Sequence, residues 1–223
     1  MLLAVDTSTA RLGLALYEGT QVLAESLWLS HARHTVELAP ALDELFRRTG
    51  IKLDEVDALG VAIGPGSFTS LRVGLAFVKG LALARDLPLI AIPTLDVIAA
   101  VRPLTDLPLA ALLPAGRSRL AVGWYETDGN TRRPNGSPSV TTAAALSESI
   151  TRPALVCGEL SDDERELLSK NALVELLPPA QCVRRPGMLA ELAYARWQAG
   201  ERDSLSALAP IYLHVDSSLA CRP

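Results

Sequence analysis

Short apolar runs separated by turn-forming residues predict that the chain opens with three consecutive strands. The runs at 2–5 and 12–17 are each followed by a polar turn, and Val22–Leu29 alternates between more and less apolar positions. Strands joined by such short turns form an antiparallel meander. The next segment, 36–49, has apolar residues at helical spacing, with Thr35 as its predicted N-cap.

Helices and strands then alternate, and the same order returns in the second half of the chain. The pattern predicts, in order, strand 58–63, helix 69–85, strand Leu89–Ile92, helix 94–101, strands 109–113 and 120–125, a turn at Asp128-Gly129-Asn130, a strand near Val140, helix 142–149, strand 154–157, helix 162–170 behind a Ser161/Glu164 capping box, strand 174–177 and helix 186–199. A β-β-β-α-β-α order that occurs twice predicts two copies of one α/β fold. Each copy would be a mixed sheet with helices packed on it.

The stretch 102–108 contains two prolines and separates the two halves of the chain. We therefore predict an N-terminal domain at 1–102 and a second domain at 103–223. This prediction leaves open whether the last helix, 186–199, belongs to the second domain or packs on the first.

Composition narrows the functional classes. The chain has 223 residues, 49% of them hydrophobic, and a net charge of −4, so nothing draws nucleic acid to it by charge alone. The three cysteines, Cys157, Cys182 and Cys221, form no CxxC pair, which is typical of a reducing compartment. No basic segment precedes the first apolar run, and no apolar stretch is long enough to span a membrane. We expect a cytoplasmic protein.

Two turns are candidates for phosphate binding. In the segment GVAIGPGSFTSLRVGLAFVK, Gly64 and Gly66 allow a tight turn after a strand, and Ser67 or Thr69 can cap the following helix. The N–H groups at such a helix start suit an anion. The cluster Asp6-Thr7-Ser8-Thr9 follows another strand and could serve the same ligand. Plain connecting turns are the alternative at both places.

The sequence lacks the motifs that independent catalysis would need. The three histidines, His31, His34 and His214, include no i, i+4 pair for a metal ion, and no third ligand accompanies the first two. The nucleophile motif G-x-S-x-G does not occur either. We expect no metal site and no catalytic residues.

The helix after Ser67 is apolar over an unusually wide surface. Its only charges before Arg85, Arg72 and Lys79, lie on roughly the same face, while Val73, Leu75 and Phe77 contribute to the rest. A helix on a sheet needs one apolar stripe, so the remainder needs cover from a second side. The sequence leaves open whether this cover is a partner, the protein's own second domain or the helix at 36–49.

Four segments together resemble the TsaB (YeaZ) family: LLAVDTST at the start, His34-Thr35, GPGSFTSLRVG, and Pro210-Ile211-Tyr212-Leu213. The resemblance covers nearly the whole chain. It implies two RNase H-like domains of the actin-like ATPase superfamily, the second one degenerate. That fold agrees with the doubled element order derived above.

The same resemblance implies a function. TsaB proteins are non-catalytic subunits that support TsaD, the enzyme forming N6-threonylcarbamoyladenosine at position 37 of tRNAs reading ANN codons. Expected partners are a TsaD-type subunit, a TsaE-type ATPase, tRNA indirectly through the complex, and a second copy in a homodimer. The chain would have no cofactor of its own, although the resemblance allows ATP or ADP at the complex interface.

The resemblance also assigns residues. The first two helices of the family form the docking surface, which predicts interface positions here at Leu42, Phe46, Arg72, Val73, Leu75, Ala76, Phe77 and Lys79. The residues Asp6, Thr7, Ser8, Gly64, Gly66 and Ser67 would be vestigial phosphate turns.

Two departures from the family pattern bear on these assignments. Ser70 stands where the family usually has glycine, and Pro114-Ala115-Gly116 replaces an Asp-Ala-Arg stretch. The alternative function is a self-sufficient nucleotide-binding enzyme of the actin-like class, such as a small-molecule kinase. It would need an acid at Pro114 to help hold Mg²⁺.

Overall fold

The computed structural model describes residues 1–31, 33–100, 105–129 and 131–213. These form two compact units, the first made of residues 1–97 and 185–211 and the second containing residues 98–184. The last helix therefore belongs to the first unit. The predicted boundary between residues 102 and 103 lies outside the described residues, as do Asn130, His214 and Cys221.

The first unit is built on a five-stranded mixed sheet in the order β3-β2-β1-β4-β5. Its strands are β1 (Leu2–Asp6), β2 (Arg11–Tyr17), β3 (Val22–Leu29), β4 (Ala58–Ala62) and β5 (Leu89–Ile92). The first three are antiparallel, as the short turns predict, and β1, β4 and β5 run parallel. Because every residue of β1 and β4 is buried, helices cover both faces of the sheet centre.

Helices on the two faces bury two separate core clusters. Helices α1 (His34–Thr49) and α2 (Phe68–Arg85) cover one face, and α6 (Pro186–Gln198) lies against β1, β2 and β4 on the other. The short helix α3 (Thr94–Ala100) follows β5, and a 3₁₀ turn occupies Leu53–Glu55.

One predicted helix cap is wrong. Helix α1 begins at His34 rather than after Thr35, and its N-cap is Arg33. The reason is the preceding loop, in which the backbone amide of Arg33 donates to the carbonyl oxygen of Ser30 at 3.0 Å. This turn brings the Arg33 carbonyl into position to accept from the amides of the first helical turn.

After α6, the chain runs along the outer edge of β5. The Asp203 amide donates to the Leu89 carbonyl at 2.9 Å, and the Ala91 amide donates to the Asp203 carboxylate at 2.7 Å. Farther on, the amide of Ile211 donates to the carbonyl of Ile63 at 2.7 Å. This segment covers part of the open strand edge, which is otherwise a site for unwanted pairing.

The second unit repeats the strand order in the sheet β11-β10-β6-β7-β8, with β9 also paired to β7. Its strands are β6 (Leu109–Pro114), β7 (Leu120–Asp128), β8 (Thr131–Pro134), β9 (Ser139–Thr141), β10 (Ala154–Gly158) and β11 (Val174–Leu176). Strand β8 falls where the sequence predicts a polar loop. Its residues pair with the end of β7, which extends beyond its predicted limit.

The helices of the second unit are α4 (Ala143–Ser149) and α5 (Asp162–Ser169), with a 3₁₀ turn at Pro179–Cys182. The predicted capping box is confirmed, since the Ser161 hydroxyl accepts from the Glu164 amide and the Glu164 carboxylate accepts from the Ser161 amide. Within the described parts of the chain, none of the helices combines the length and apolar character needed to cross a bilayer.

Candidate functional site

The sheet of the first unit brings the two predicted turns together. Strands β1 and β4 are parallel neighbours with Val5 opposite Val61, so the turns after them leave the same edge. Asp6 is buried, and its carboxylate accepts from the Ser8 amide at 2.8 Å. This bond closes an Asx turn, the alternative that the sequence leaves open at this position.

The two turns are hydrogen-bonded to each other. The Ser67 amide, at the start of α2, donates to the Ser8 carbonyl at 2.7 Å. Gly66 makes this approach geometrically feasible, because a Cβ atom there would lie 2.1 Å from the Ser8 carbonyl oxygen.

Thr94, which follows strand β5, forms hydrogen bonds with both turns. Its Oγ1 accepts from the Gly64 amide at 2.9 Å and shares a hydrogen bond of 2.8 Å with the Ser8 hydroxyl. All of these groups are buried. The sequence pattern suggests only a helix start at Thr94, because its two partners are 30 and 86 positions away along the chain.

Thr7 attaches α2 to the same turn. Its hydroxyl donates to the Ser70 carbonyl at 2.7 Å, and a Cβ at Gly74 would lie 2.1 Å from Thr7 Oγ1. Ser70, one of the two departures from the family pattern, is a buried residue of the first helical turn. Its amide donates to the Ser67 hydroxyl at 3.4 Å, so Ser67 is the helix cap.

The six predicted phosphate-turn residues therefore form one connected cluster, together with Thr94. Two of the amides at the start of α2, those of Ser67 and Ser70, donate to the protein's own oxygen atoms. The arrangement chemically resembles an anion cradle in which a carbonyl and a hydroxyl of the protein take the place of the anion.

The predicted interface residues divide into three groups. Leu42 and Leu75 lie in the hydrophobic core of the first unit and cannot contact a partner, so these two assignments need correction. Both face the sheet, a direction that the broadly apolar sequence does not reveal. Phe46, Val73 and Phe77 are half-buried against the same core.

Two further predicted positions, Arg72 and Ala76, are exposed on α2. The Arg72 guanidinium stacks on the ring of Phe68 at 3.8 Å. Lys79 is half-buried and its ammonium donates to the Leu208 carbonyl at 2.7 Å, an intramolecular contact that the sequence does not suggest.

The exposed side of α2 has a composition unusual for a solvent-facing helix. We call it the outer face of α2, and its members are Phe68, Thr69, Arg72, Ala76, Gly80 and Leu83. Only one of the six is charged. Phe68 is 53% exposed and Leu83 is 72% exposed, so large apolar side chains stand in water at both ends of the face. The sequence pattern does not single out Leu83, because a helix that is apolar on nearly all sides does not show which side faces the core.

Helix α1 lies beside α2 and has a defined electrostatic feature at its start. The indole N–H of Trp28 donates to the Glu37 carboxylate at 2.9 Å. This bond is the main cause that lowers the pKa of Glu37 below its ordinary value of 4.5, with smaller contributions from Ser30 and Arg33. Val36, in the same helical turn, is 58% exposed.

Histidine and acidic residues do not converge in the described part of the chain. His34 is buried at the first turn of α1, whereas His31 is exposed. Among residues 1–31, 33–100, 105–129 and 131–213, no group of three or more His, Cys, Asp or Glu side chains could hold a metal ion. In the second unit, the stretch after Pro114 is a hairpin turn closed by the Ala115 amide on the Arg119 carbonyl at 2.7 Å.

Comparison with known proteins agrees with this architecture. The TsaD family model, described as tRNA N6-adenosine threonylcarbamoyltransferase, matches residues 28–163. The tRNA threonylcarbamoyladenosine biosynthesis protein TsaB of Haemophilus influenzae is 42% identical over 99 residues, 44% of this chain and 41% of that protein. TsaB of Bacillus subtilis is 32% identical over 125 residues, 56% of this chain and 55% of that protein. The matched segments thus span about half the length of these curated relatives, or less.

A solved structure extends the likeness to both units. YeaZ from Pseudomonas aeruginosa superposes with a TM-score of 0.78 at 25% identity, covering 95% of this chain and 99% of that one. The predicted fold class, two RNase H-like units of the actin-like superfamily, is confirmed. The chain belongs to the TsaD family, and within it to the TsaB (YeaZ) proteins.

Proposed function

We propose that this chain is a non-catalytic accessory subunit that binds and supports a TsaD-type enzyme. That enzyme would form N6-threonylcarbamoyladenosine at position 37 of tRNAs reading ANN codons. The names of the relatives give the pathway. The observation that carries the proposal of a docked partner is the outer face of α2.

The outer face has the properties of a docking surface. Large apolar side chains that stand in water are a mark of an interaction site when they share one surface, and Phe68 and Leu83 lie on the same side of this helix. Between them, Ala76 and Gly80 lack bulky side chains, so a partner helix can approach the α2 backbone closely. Arg72 supplies a single positive charge, which a carboxylate of the partner can complement.

The hydrogen bonds at the sheet edge support the non-catalytic part of the proposal. The Ser67 amide already donates to Ser8, so the predicted phosphate turns bind each other. Any ATP or ADP in the assembly would then be held where subunits meet. A TsaE-type ATPase would join the same assembly, and tRNA would be held mainly by partners because this chain has a net charge of −4. In the absence of the enzyme, the outer face could pair with a second copy.

Reconstitution tests the proposal. The chain is purified alone and together with the cognate TsaD-type subunit, and the modified nucleoside is quantified in tRNA by mass spectrometry. We expect a stable complex, modification that depends on both proteins, and no ATP hydrolysis by the isolated chain. ATP hydrolysis by the chain alone, with no complex and no effect on modification, would favour the self-sufficient enzyme and refute the proposal.

A further inference from the structure

A cavity of about 170 Å³ lies in the second unit, at the end of its sheet opposite the hairpin turn after Pro114. It is lined by residues at the starts of β6 and β10. Residues of β7, the strand between β6 and β8, complete the lining. Its apolar lining comes from Pro108, Trp124, Ile150 and Ala154. Three of these four residues are buried and Trp124 is half-buried, so the cavity has an apolar floor that includes an aromatic side chain.

The rim carries an ion pair between two exposed side chains, Glu126 and Arg152. A single oxygen of Glu126, Oε1, accepts from both Asn135 Nδ2 and Arg152 Nη2, each at 3.0 Å. In the described part of the chain, the second carboxylate oxygen of Glu126 accepts no hydrogen bond. The Nε and Nη1 groups of Arg152 likewise donate none to the protein. The ion pair thus leaves an acceptor and several donors beside each other at the mouth.

The volume limits what can enter. Pockets for drug-sized ligands measure about 300–1,000 Å³, and this cavity is well below that range. It has room for about five or six water molecules at about 30 Å³ each. A nucleotide therefore does not fit, whereas a small aliphatic side chain does.

We propose that this cavity binds a free α-amino acid with a small apolar side chain. The ammonium group would donate to Oε2 of Glu126, and the carboxylate would accept from Arg152. The side chain would occupy the floor against Trp124 and Ile150. The Glu126 carboxylate would repel a ligand that carries only a negative charge. The Arg152 guanidinium would repel a ligand that carries only a positive charge. The rim therefore favours a ligand that carries both charges.

The test uses L-valine as the probe and the full-length chain. Valine binding is followed by the change in tryptophan fluorescence, and we expect a saturable change that Trp124→Phe removes. N-acetylvaline lacks the ammonium and valinamide lacks the carboxylate, so both should bind at least tenfold more weakly. Thermal melting of every variant confirms that it is folded.

Charge variants locate the site. Glu126→Gln and Arg152→Gln should each weaken valine binding at least tenfold, as measured by calorimetry. The control is Arg117→Gln, which removes an exposed arginine in the hairpin turn after Pro114 and does not line the cavity. It should leave valine binding unchanged.

Three results would overturn the inference. They are the absence of saturable binding up to about 10 mM valine, which is ten times a dissociation constant of about 1 mM, equal binding of N-acetylvaline, and full binding by both charge variants. None of these depends on the enzyme partner, since the outer face of α2 belongs to the other unit. The inference and the proposed function can therefore fail separately.

Discussion

Gly74 is the position where the structure predicts the sharpest response to a single methyl group. A Cβ at Gly74 would lie 2.1 Å from Thr7 Oγ1 and 3.1 Å from Thr7 Cγ2. Rotating Thr7 away would break its hydrogen bond to the Ser70 carbonyl and move its methyl group into the same space. The substitution Gly74→Ala therefore forces an overpacked contact together with the loss of a buried hydrogen bond.

The magnitude follows from opposing effects. Alanine gains about 1 kcal/mol over glycine in a helix interior. Overpacking costs about 1–3 kcal/mol, and losing the Thr7 hydrogen bond adds about 1 kcal/mol. We expect Gly74→Ala to lower the free energy of unfolding by about 1–3 kcal/mol. Gly80→Ala is the matched control, because its Cβ would meet nothing within 4 Å, and it should raise stability by up to about 1 kcal/mol.

Urea unfolding of the isolated chain, followed by circular dichroism, measures both variants. The double variant Thr7→Ala/Gly74→Ala removes the obstructing side chain, so the two substitutions should show a coupling of about 1–3 kcal/mol. The reasoning is refuted if Gly74→Ala stabilises the protein as Gly80→Ala does. It is also refuted if the Thr7 substitution brings no relief.

Two further predictions concern the sheet edge and helix α1. Thr94→Val should destabilise the chain by at least about 2 kcal/mol, since it deprives the buried Gly64 amide and Ser8 hydroxyl of a partner, whereas Thr94→Ser should cost only about 1 kcal/mol. Equal urea midpoints for the two variants would contradict this. The lowered pKa of Glu37 means that its contribution to stability is complete above pH 4.5 and is lost as the pH falls below that value. Glu37→Gln should flatten this acid dependence of the urea midpoint, and an unchanged pH profile would show that the Trp28 bond has no effect.

Local patterns were sufficient for most elements of this fold. The capping box at Ser161 was predictable, and Ser67 was one of the two predicted caps of α2, because the residues involved are three positions apart. The central strands were predictable because they are short apolar runs bounded by turn residues. These features depend on neighbours in the chain, which the sequence displays directly.

Features that depend on distant partners were missed. Strand β8 contains two arginines and a proline and becomes a strand only through pairing with β7. The bridging role of Thr94 depends on residues that the sheet brings to it. The outer face of α2 was misjudged for a related reason, because a helix that is apolar on nearly all sides does not show which of Leu75 and Leu83 faces the core.

Docking on the outer face of α2 is the central claim, and one affinity measurement tests it most directly. The dissociation constant of the complex with the cognate TsaD-type subunit is measured by calorimetry for Ala76→Glu and for Ala144→Glu. Both alanines are exposed on helices, so both variants should stay folded, and Ala144 lies on α4 of the other unit. The account predicts a loss of about 30-fold or more for Ala76→Glu, the effect of a centrally placed interface residue, and no loss for Ala144→Glu. Wild-type affinity in Ala76→Glu would contradict it.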